Sequence, residues 1–467
     1  MRKLFLLVIL FACSLRMWGQ ADFSQIDSLI KRMLPESSEV GISIYDLTDN
    51  KSLYTYQETK LCRPASTMKL LTAITALSHP DAREPFRTEV WYKGTVRKGV
   101  LRGDLYVVGG FDPEFDEKSM ETLVEKIRSF PISVIKGRVY GDVTMKDSLY
   151  WGSGWIWDDN PATFQPYLSP LMFCKGVVRV TASPGIEEGQ PAELTCQPVS
   201  SYYKVINKTV TASPEAGRFA VTRDWMRNQN DLIVKGNVET NSVDGVNIFS
   251  SQDLFMHSLV DGLRAKGIKL KRPYAFGEFN PDEASVHVAT IESPVQTVLE
   301  QMLKESDNLN AEAMLCRLGK QATGKKYISE SDGITEINKL LTQLGYAPDQ
   351  YRIADGCGLS NYDYLSPQLL VDALKFAYSK ADIYPILYES LPIAGVDGTL
   401  KNRMKDTPAY QNVRAKTGSY TAINTLAGFL TMQNGHRVAF AIMNQNILSA
   451  SQARAFQDKV CELICLN

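Results

Sequence analysis

Ser66 and Lys69 stand three residues apart in the stretch Arg63-Pro64-Ala65-Ser66-Thr67-Met68-Lys69-Leu70-Leu71. A proline and two small residues halt an extended segment there, and an Ala- and Leu-rich run free of Gly and Pro then predicts a helix beginning near Ser66. At positions i and i+3 the hydroxyl and the amine share one helical face. Serine is a poor nucleophile unless a base lies within hydrogen-bond reach, and a lysine neutralised by burial or by nearby positive charge can be that base. The chemistry on offer is nucleophilic catalysis at a helix N-terminus.

The pattern Ser-x-x-Lys alone carries little weight, because it occurs four times, at Ser28, Ser66, Ser133 and Ser201. Its significance comes from two partners downstream. Ser306-Asp307-Asn308 is the only Ser-x-Asn in the chain, and Lys416-Thr417-Gly418 is the only Lys-[Ser/Thr]-Gly. That ordered triple is the signature of serine acyl-transferases acting on D-alanyl peptides and β-lactams. Taken singly, Asn308 also reads as the cap of the helix that follows it, and Lys416-Thr417-Gly418 as an ordinary strand end.

The elements that must position these residues belong to a chain of 467 residues with net charge -1, 44% hydrophobic and 22% charged. This is the composition of a globular protein, and charges of both signs are interspersed, so no nucleic-acid partner is implied. Arg2 and Lys3 precede an apolar run from Leu4 to Leu15, which predicts a secretory signal peptide over residues 1–20 and an exported protein. The run is short for a spanning helix. Leu10-Phe11-Ala12-Cys13 also resembles a lipoprotein cleavage site, which would give peripheral membrane attachment through a lipid on Cys13. The remaining seven cysteines are scattered and odd in number, unlike a disulfide framework, with Cys174 and Cys196 the one candidate pair. None of the four histidines lies in a metal or triad motif, and no zinc spacing or cofactor motif is present.

In chain order, residues 23–34 have helical spacing, and residues 40–46 with 53–56 read as a hairpin. From about residue 86 the texture becomes short β-like runs, interrupted by helices over 116–130 and 252–266. Helical texture returns over 294–304, 310–320, 333–344 and 367–378. Strands follow over 412–416, 425–431 and 437–443, then a last amphipathic helix over 451–464. The expected architecture is α+β. One five-stranded antiparallel sheet with helices on both faces is formed by residues 21–85 and 290–467. It is split by a β-rich insertion at 86–289, with an inner subdomain near 165–240. Ser66 and Lys416 can then be neighbours.

With these motifs and the long insertion between the first two, the chain resembles a class C low-molecular-mass penicillin-binding protein, the D-alanyl-D-alanine carboxypeptidase/endopeptidase family of penicillin-binding protein 4 type. The resemblance extends through Gly103-Asp104-Leu105-Tyr106, Gly154-Trp155-Ile156-Trp157-Asp158-Asp159, Asp355-Gly356-Cys357-Gly358-Leu359-Ser360 and Asp397-Gly398-Thr399-Leu400. It implies a periplasmic enzyme that cleaves D-Ala-D-Ala type bonds of peptidoglycan peptides and is inhibited by β-lactams. Ser66 would be the nucleophile and Lys69 its base, with Ser306 as proton relay. Asn308 would hold Lys69 and the substrate amide. Lys416 and Thr417 would receive the terminal carboxylate, Gly418 would let substrate backbone approach, and the N–H groups of Ser66 and Ser419 would form the oxyanion hole.

Some positions depart from the family pattern. Lys146, beside Asp147, stands where an acid for a side-chain amine is expected. Gly176 replaces an Asn, Cys357 a Ser, and Asn361 an Arg. Trp155 and Trp157 read as packing residues, and Asp355-Gly356 and Asp397-Gly398-Thr399 as turns. Two other readings compete. A β-lactamase shares the triple but usually has its first two motifs closer together and an extra glutamate. A vestigial wall-binding scaffold would have no need to retain a nucleophile beside an amine.

Overall fold

The structure is a computed structural model that describes residues 23–81 and 83–467, so the expected signal peptide and Cys13 lie outside the described residues. Strands β1 (Glu39–Asp46), β2 (Lys51–Tyr56), β3 (Arg414–Tyr420), β4 (Ile423–Thr431) and β5 (Arg437–Gln445) form one five-stranded sheet in the order β3-β4-β5-β1-β2. All four pairings are antiparallel. The join between the two ends of the chain is β1 against β5, with Glu39 opposite Gln445 and Asp46 opposite Val438.

Side chains of β5 alternate between two cores, as the pleat requires. Val438, Phe440 and Ile442 face the helices α1 (Ser24–Met33) and α5 (Ala450–Leu466), whereas Ala439, Ala441 and Met443 face the larger helical layer. Because both faces are covered, β4 is buried over all but its last residue, and Leu426 to Leu430 read as an apolar run.

The larger layer is built around α2 (Met68–Leu77), of which every residue is buried. A helix apolar on all sides is stable only when enclosed, and α3 (Asn308–Thr323) and α4 (Pro367–Tyr378) pack on it. A 3-10 turn, Ala65–Thr67, precedes α2, so Ser66 stands just ahead of the α-helix proper and is only partly buried. Pro64 O accepts hydrogen bonds from Thr67 Oγ1 and Thr425 Oγ1, each 2.7 Å. The Gln445 carboxamide accepts from Arg63 N and donates to Arg63 O, both at 3.1 Å. The sheet thus fixes the start of the turn.

Between the two halves of this sheet the chain makes a long excursion. The strands that open and close it, Phe86–Arg97 and Ser285–Ser293, pair antiparallel with Phe86 opposite Ser293. They belong to a seven-stranded sheet, and two three-stranded sheets lie within the excursion, centred on Val177–Ser183 and Leu232–Val238. Phe111, Met145, Leu168 and Met172 join the core of the larger helical layer, so the excursion is packed onto the helices.

Several boundaries differ from the sequence reading in ways that matter. The helix expected over 310–320 starts at Asn308, inside the second motif. The strand expected to stop at Lys416 runs through Gly418 to Tyr420, because Gly418 serves close packing there. A Cβ on Gly418 would lie 2.1 Å from Thr425 Oγ1 and 3.0 Å from Ser66 N. The helix Tyr384–Ser390 has no sequence expectation, being one short apolar segment with a proline in its first turn. Cys174 and Cys196 do not pair, and all seven described cysteines are free thiols.

Gly358 has φ +80°, and a Cβ there would lie 1.9 Å from Ala65 O, at the root of the Ser66 turn. Gly358→Ala should therefore destabilise the protein by about 2 kcal/mol or more. A thermal melt checks this, and an unchanged melting temperature would show that the loop and the turn separate freely.

Candidate active site

Lys69 is fully buried, and its amine has three partners. Nζ lies 2.8 Å from Ser66 Oγ, 2.7 Å from Asn308 Oδ1 and 2.7 Å from the carbonyl oxygen of Cys357. An ammonium would donate to all three. A neutral amine donates to the two carbonyl oxygens and accepts the proton of the Ser66 hydroxyl with its lone pair. Burial holds the Lys69 pKa down, opposed by the charges of Asp355, Asp307 and Glu312. Asn308 is not the helix cap. Asp307 takes that place, accepting from Asn310 N at 3.0 Å, which frees the Asn308 carboxamide for Lys69.

Lys416 is also fully buried, and its Nζ donates to Ser306 Oγ at 2.8 Å and to Thr417 O at 2.7 Å. Burial, with the charge of Lys69 second, pushes its pKa well below the ordinary lysine value. Ser306 takes a left-handed conformation, φ 62°, as does Ala65 with φ 46°, so both serines are presented by strained backbone.

Strand β3 is the edge of its sheet, and Ala415 N donates outward to Pro392 O at 3.1 Å. Alternation along the strand then directs the N–H groups of Thr417 and Ser419 to the same open edge. The N–H of Ser66 belongs to the first turn of a helix, whose donors lack intrahelical partners. Thr417 Oγ1 donates to Thr399 Oγ1 at 2.7 Å. Ser66, Ser306, Asn308, Gly358 and Ser419 all line one cleft of about 460 Å³. Of the eight residues singled out, Ser66, Ser306, Asn308 and Ser419 line this hollow, Lys69, Lys416 and Gly418 touch those lining residues, and Thr417 follows Lys416 on the same strand.

The loop beneath Lys69 is held by Asp355. It accepts from Cys357 N at 3.1 Å, Gly358 N at 2.6 Å, Ser360 N at 2.7 Å and the Trp155 indole N–H at 2.9 Å. Gly356 N donates to Glu312 Oε1 at 2.9 Å. Glu312 and Asp363 are enclosed beside Asp355, and burial raises both pKa values well above the usual range. The Glu312, Asp355 and Cys357 ligand atoms lie within 4.8 Å of one another, but the backbone donors just described account for this gathering.

Sequence reasoning missed the contribution of the excursion. The acid sought near Met145-Lys146-Asp147 is not in the cleft. Lys146 is buried, bonded to Asp147 Oδ1 at 2.7 Å and bridged to Ile328. The acids that line the cleft are Asp158 and Asp159, with Ile156, Phe164 and Tyr420. Burial raises the Asp159 pKa, and Tyr420 donates to Asp159 Oδ2 at 3.4 Å. Asn308 Nδ2 donates to Phe164 O at 2.8 Å, joining the Ser306-Asp307-Asn308 motif to the excursion. The stretch Gly154 to Asp159 was visible as part of the family pattern, and two adjacent acids beside two indoles were its available signal.

The family model described as D-Ala-D-Ala carboxypeptidase 3 (S13) matches residues 23–464. A D-alanyl-D-alanine carboxypeptidase of Actinomadura sp. (strain R39) is 27% identical over 452 residues, 93% of this chain and 82% of the relative. The crystal structure of penicillin binding protein 4 (dacB) from Haemophilus influenzae superposes with TM-score 0.82 at 23% identity, covering 95% of this chain and 99% of that one. The same Haemophilus protein complexed with a novel β-lactam gives TM-score 0.75 at 22% identity, covering 94% and 98%.

Were Lys69 the base to Ser66, only its neutral form could take the proton, and acylation of Ser66 should then rise with pH through the Lys69 titration. Burial sets that midpoint below the ordinary lysine value of about 10.4, and the rate should fall about tenfold per pH unit beneath it. The second-order acylation rate as a function of pH is the measurement. A rate that shows no fall on acidification at any pH at which the protein stays folded would remove Lys69 as the base.

Proposed function

Given that the chain belongs to the D-Ala-D-Ala carboxypeptidase 3 (S13) family, and is a serine D,D-peptidase acting on peptidoglycan peptides, we propose that Ser66 is its nucleophile and Lys69 the general base. The observation that carries this reading is the 2.8 Å approach of Lys69 Nζ to Ser66 Oγ, with a second serine-lysine pair, Ser306 and Lys416, also at 2.8 Å.

Ser66 Oγ attacks the carbonyl of the penultimate D-Ala while Lys69 accepts its proton. The N–H groups of Ser66 and Ser419 receive the oxyanion, a contribution of about 3 kcal/mol in comparable sites. Ser306, bonded to Lys416, passes a proton to the leaving nitrogen. The amine departs, and water then cleaves the acyl-enzyme. Lys416 and the Thr417 hydroxyl, braced by Thr399, take the terminal carboxylate, whose charge offsets the cost of keeping Lys416 protonated in a buried place. Substrate backbone lies along the open edge of β3 beside Gly418.

Residues 21–85 and 290–467 act as the peptidase domain, and the insertion at 86–289 completes its cleft. A second hollow of about 440 Å³ shares Phe164, Ser306 and Asn308 with the first. Space on both sides of Asn308 favours endopeptidase action on cross-links as well as release of terminal D-Ala. Asp158 and Asp159 favour stem peptides with a free side-chain amine. The signal-like N-terminus supports export to the periplasm, with or without lipid attachment at Cys13.

Intact mass after incubation with benzylpenicillin, alongside penicillin loss in solution, tests the reading. A lasting one-to-one adduct absent from Ser66→Ala is expected. Rapid penicillin loss without adduct would indicate a β-lactamase, and neither adduct nor loss would indicate a vestigial scaffold. Asp159→Asn should lower kcat/KM about tenfold for peptides with a free side-chain amine relative to the same peptides acetylated there. An unchanged ratio would mean that Asp159 does not read the amine.

A further inference from the structure

Residues 155–160 have two sides. Ile156, Asp158 and Asp159 line the reactive-serine cleft, whereas Trp155, Trp157 and Asn160 line a separate hollow of about 470 Å³. The two hollows therefore share one short stretch of chain as a wall. The second is walled by Trp151, Trp155, Trp157, Tyr167, Trp225 and Met226, and so holds four of the six tryptophans of the chain.

These rings are not all core. Trp157 is 67% and Met226 74% exposed, although the Trp157 and Trp225 rings lie only 5.0 Å apart. An exposed indole in contact with a half-buried one, with an exposed thioether beside them, forms an apolar surface that folding does not use. Three carboxamides complete the lining: Asn160, Gln165 and Asn228. Gln165 is only 2% exposed, yet its Oε1 has no hydrogen-bond partner. A buried acceptor without a protein donor is filled by an ordered water or by a donor on a ligand. The Asn160 and Asn228 oxygens are already taken, by Arg223 Nη2 at 3.0 Å and the Tyr167 hydroxyl at 3.1 Å. The Asn160 side chain is also engaged with the Tyr167 phenol, which leaves the Asn228 amide N–H as the donor the cavity presents.

No charged side chain lines this hollow, so it does not suit a carboxylate, an amine or a phosphate. Flat indole faces with a neutral amide donor and one unfilled acceptor suit a pyranose ring. Its C–H face stacks on the negative face of an indole, and its hydroxyl and acetamido groups exchange hydrogen bonds with carboxamides. We propose that this cavity is a glycan subsite that binds an N-acetylated hexosamine of the peptidoglycan strand while the attached stem peptide lies in the Ser66 cleft. Four extended residues between the scissile carbonyl and the sugar span about 13 Å, a reach suited to two hollows that share a wall. The sugar's identity rests on the peptidoglycan reading of the active site, whereas its chemical class rests on the cavity alone.

Tryptophan fluorescence of the wild-type protein titrated with the β-1,4-linked tetrasaccharide of N-acetylglucosamine tests the subsite without requiring catalysis. A saturable change is expected, weakened about tenfold or more in Trp225→Ala and in Trp157→Ala, as for an aromatic anchor. The absence of a saturable change, or equal affinity in both variants, would overturn the proposal. In parallel, D-Ala release is compared between a disaccharide-linked pentapeptide and the same pentapeptide without sugar. The wild type should favour the sugar-linked substrate, and that preference should shrink in both variants. A wild-type preference near one, or a preference unchanged in both variants, would also overturn the subsite. A protein that binds the tetrasaccharide but forms no penicillin adduct would instead contradict the peptidase mechanism and leave the subsite standing.

Discussion

The burial of one amine governs this structure. Lys69 sits without solvent contact at the start of an enclosed helix. A buried ammonium is costly, so burial lowers the Lys69 pKa and favours the neutral form that the proposed base requires. That state needs acceptors for the two remaining N–H bonds, and Asn308 and the Cys357 carbonyl supply them. Those two groups come from a helix start and a loop more than two hundred residues along the chain. Holding them to within hydrogen-bond distance is what the surrounding fold accomplishes.

Much of the packing can be understood from that requirement. The loop that presents the Cys357 carbonyl is wound around Asp355, whose oxygens accept three backbone N–H groups and one indole N–H. Because the indole belongs to Trp155, the excursion is tied to the loop under the lysine. A second tie runs from Asn308 to Phe164 O. The excursion therefore bears directly on the Ser306-Asp307-Asn308 motif while its neighbouring residues Asp158 and Asp159 line the cleft. Trp155 both anchors this loop and, with the exposed Trp157, lines the second hollow.

The five-stranded sheet and the order of its elements were legible in the sequence because both depend on local pattern. Alternation over β1, the apolar run Leu426 to Leu430 of β4 and the Ala- and Leu-rich α2 are properties of neighbouring residues. Legibility failed where a residue serves a distant partner. The strand was expected over 412–416, but it runs on through Gly418, whose missing side chain admits Ser66 and Thr425. Lys146 was the position singled out for an acid, but its amine turns inward to Asp147, and the acids of the cleft lie twelve and thirteen residues further on at Asp158 and Asp159.

What the sequence by itself determined is the chemistry: a serine with a lysine one helical turn away, and two further motifs in a fixed order, name the reaction class because those side chains have few other uses together. What only the tertiary structure decided is the environment of that chemistry. Whether Lys69 loses its charge, which N–H groups face the open edge, and which side of residues 155–160 meets the substrate depend on burial and on contacts between remote segments. Solvation and long-range packing are properties of the folded volume, and no local stretch of sequence encodes them alone.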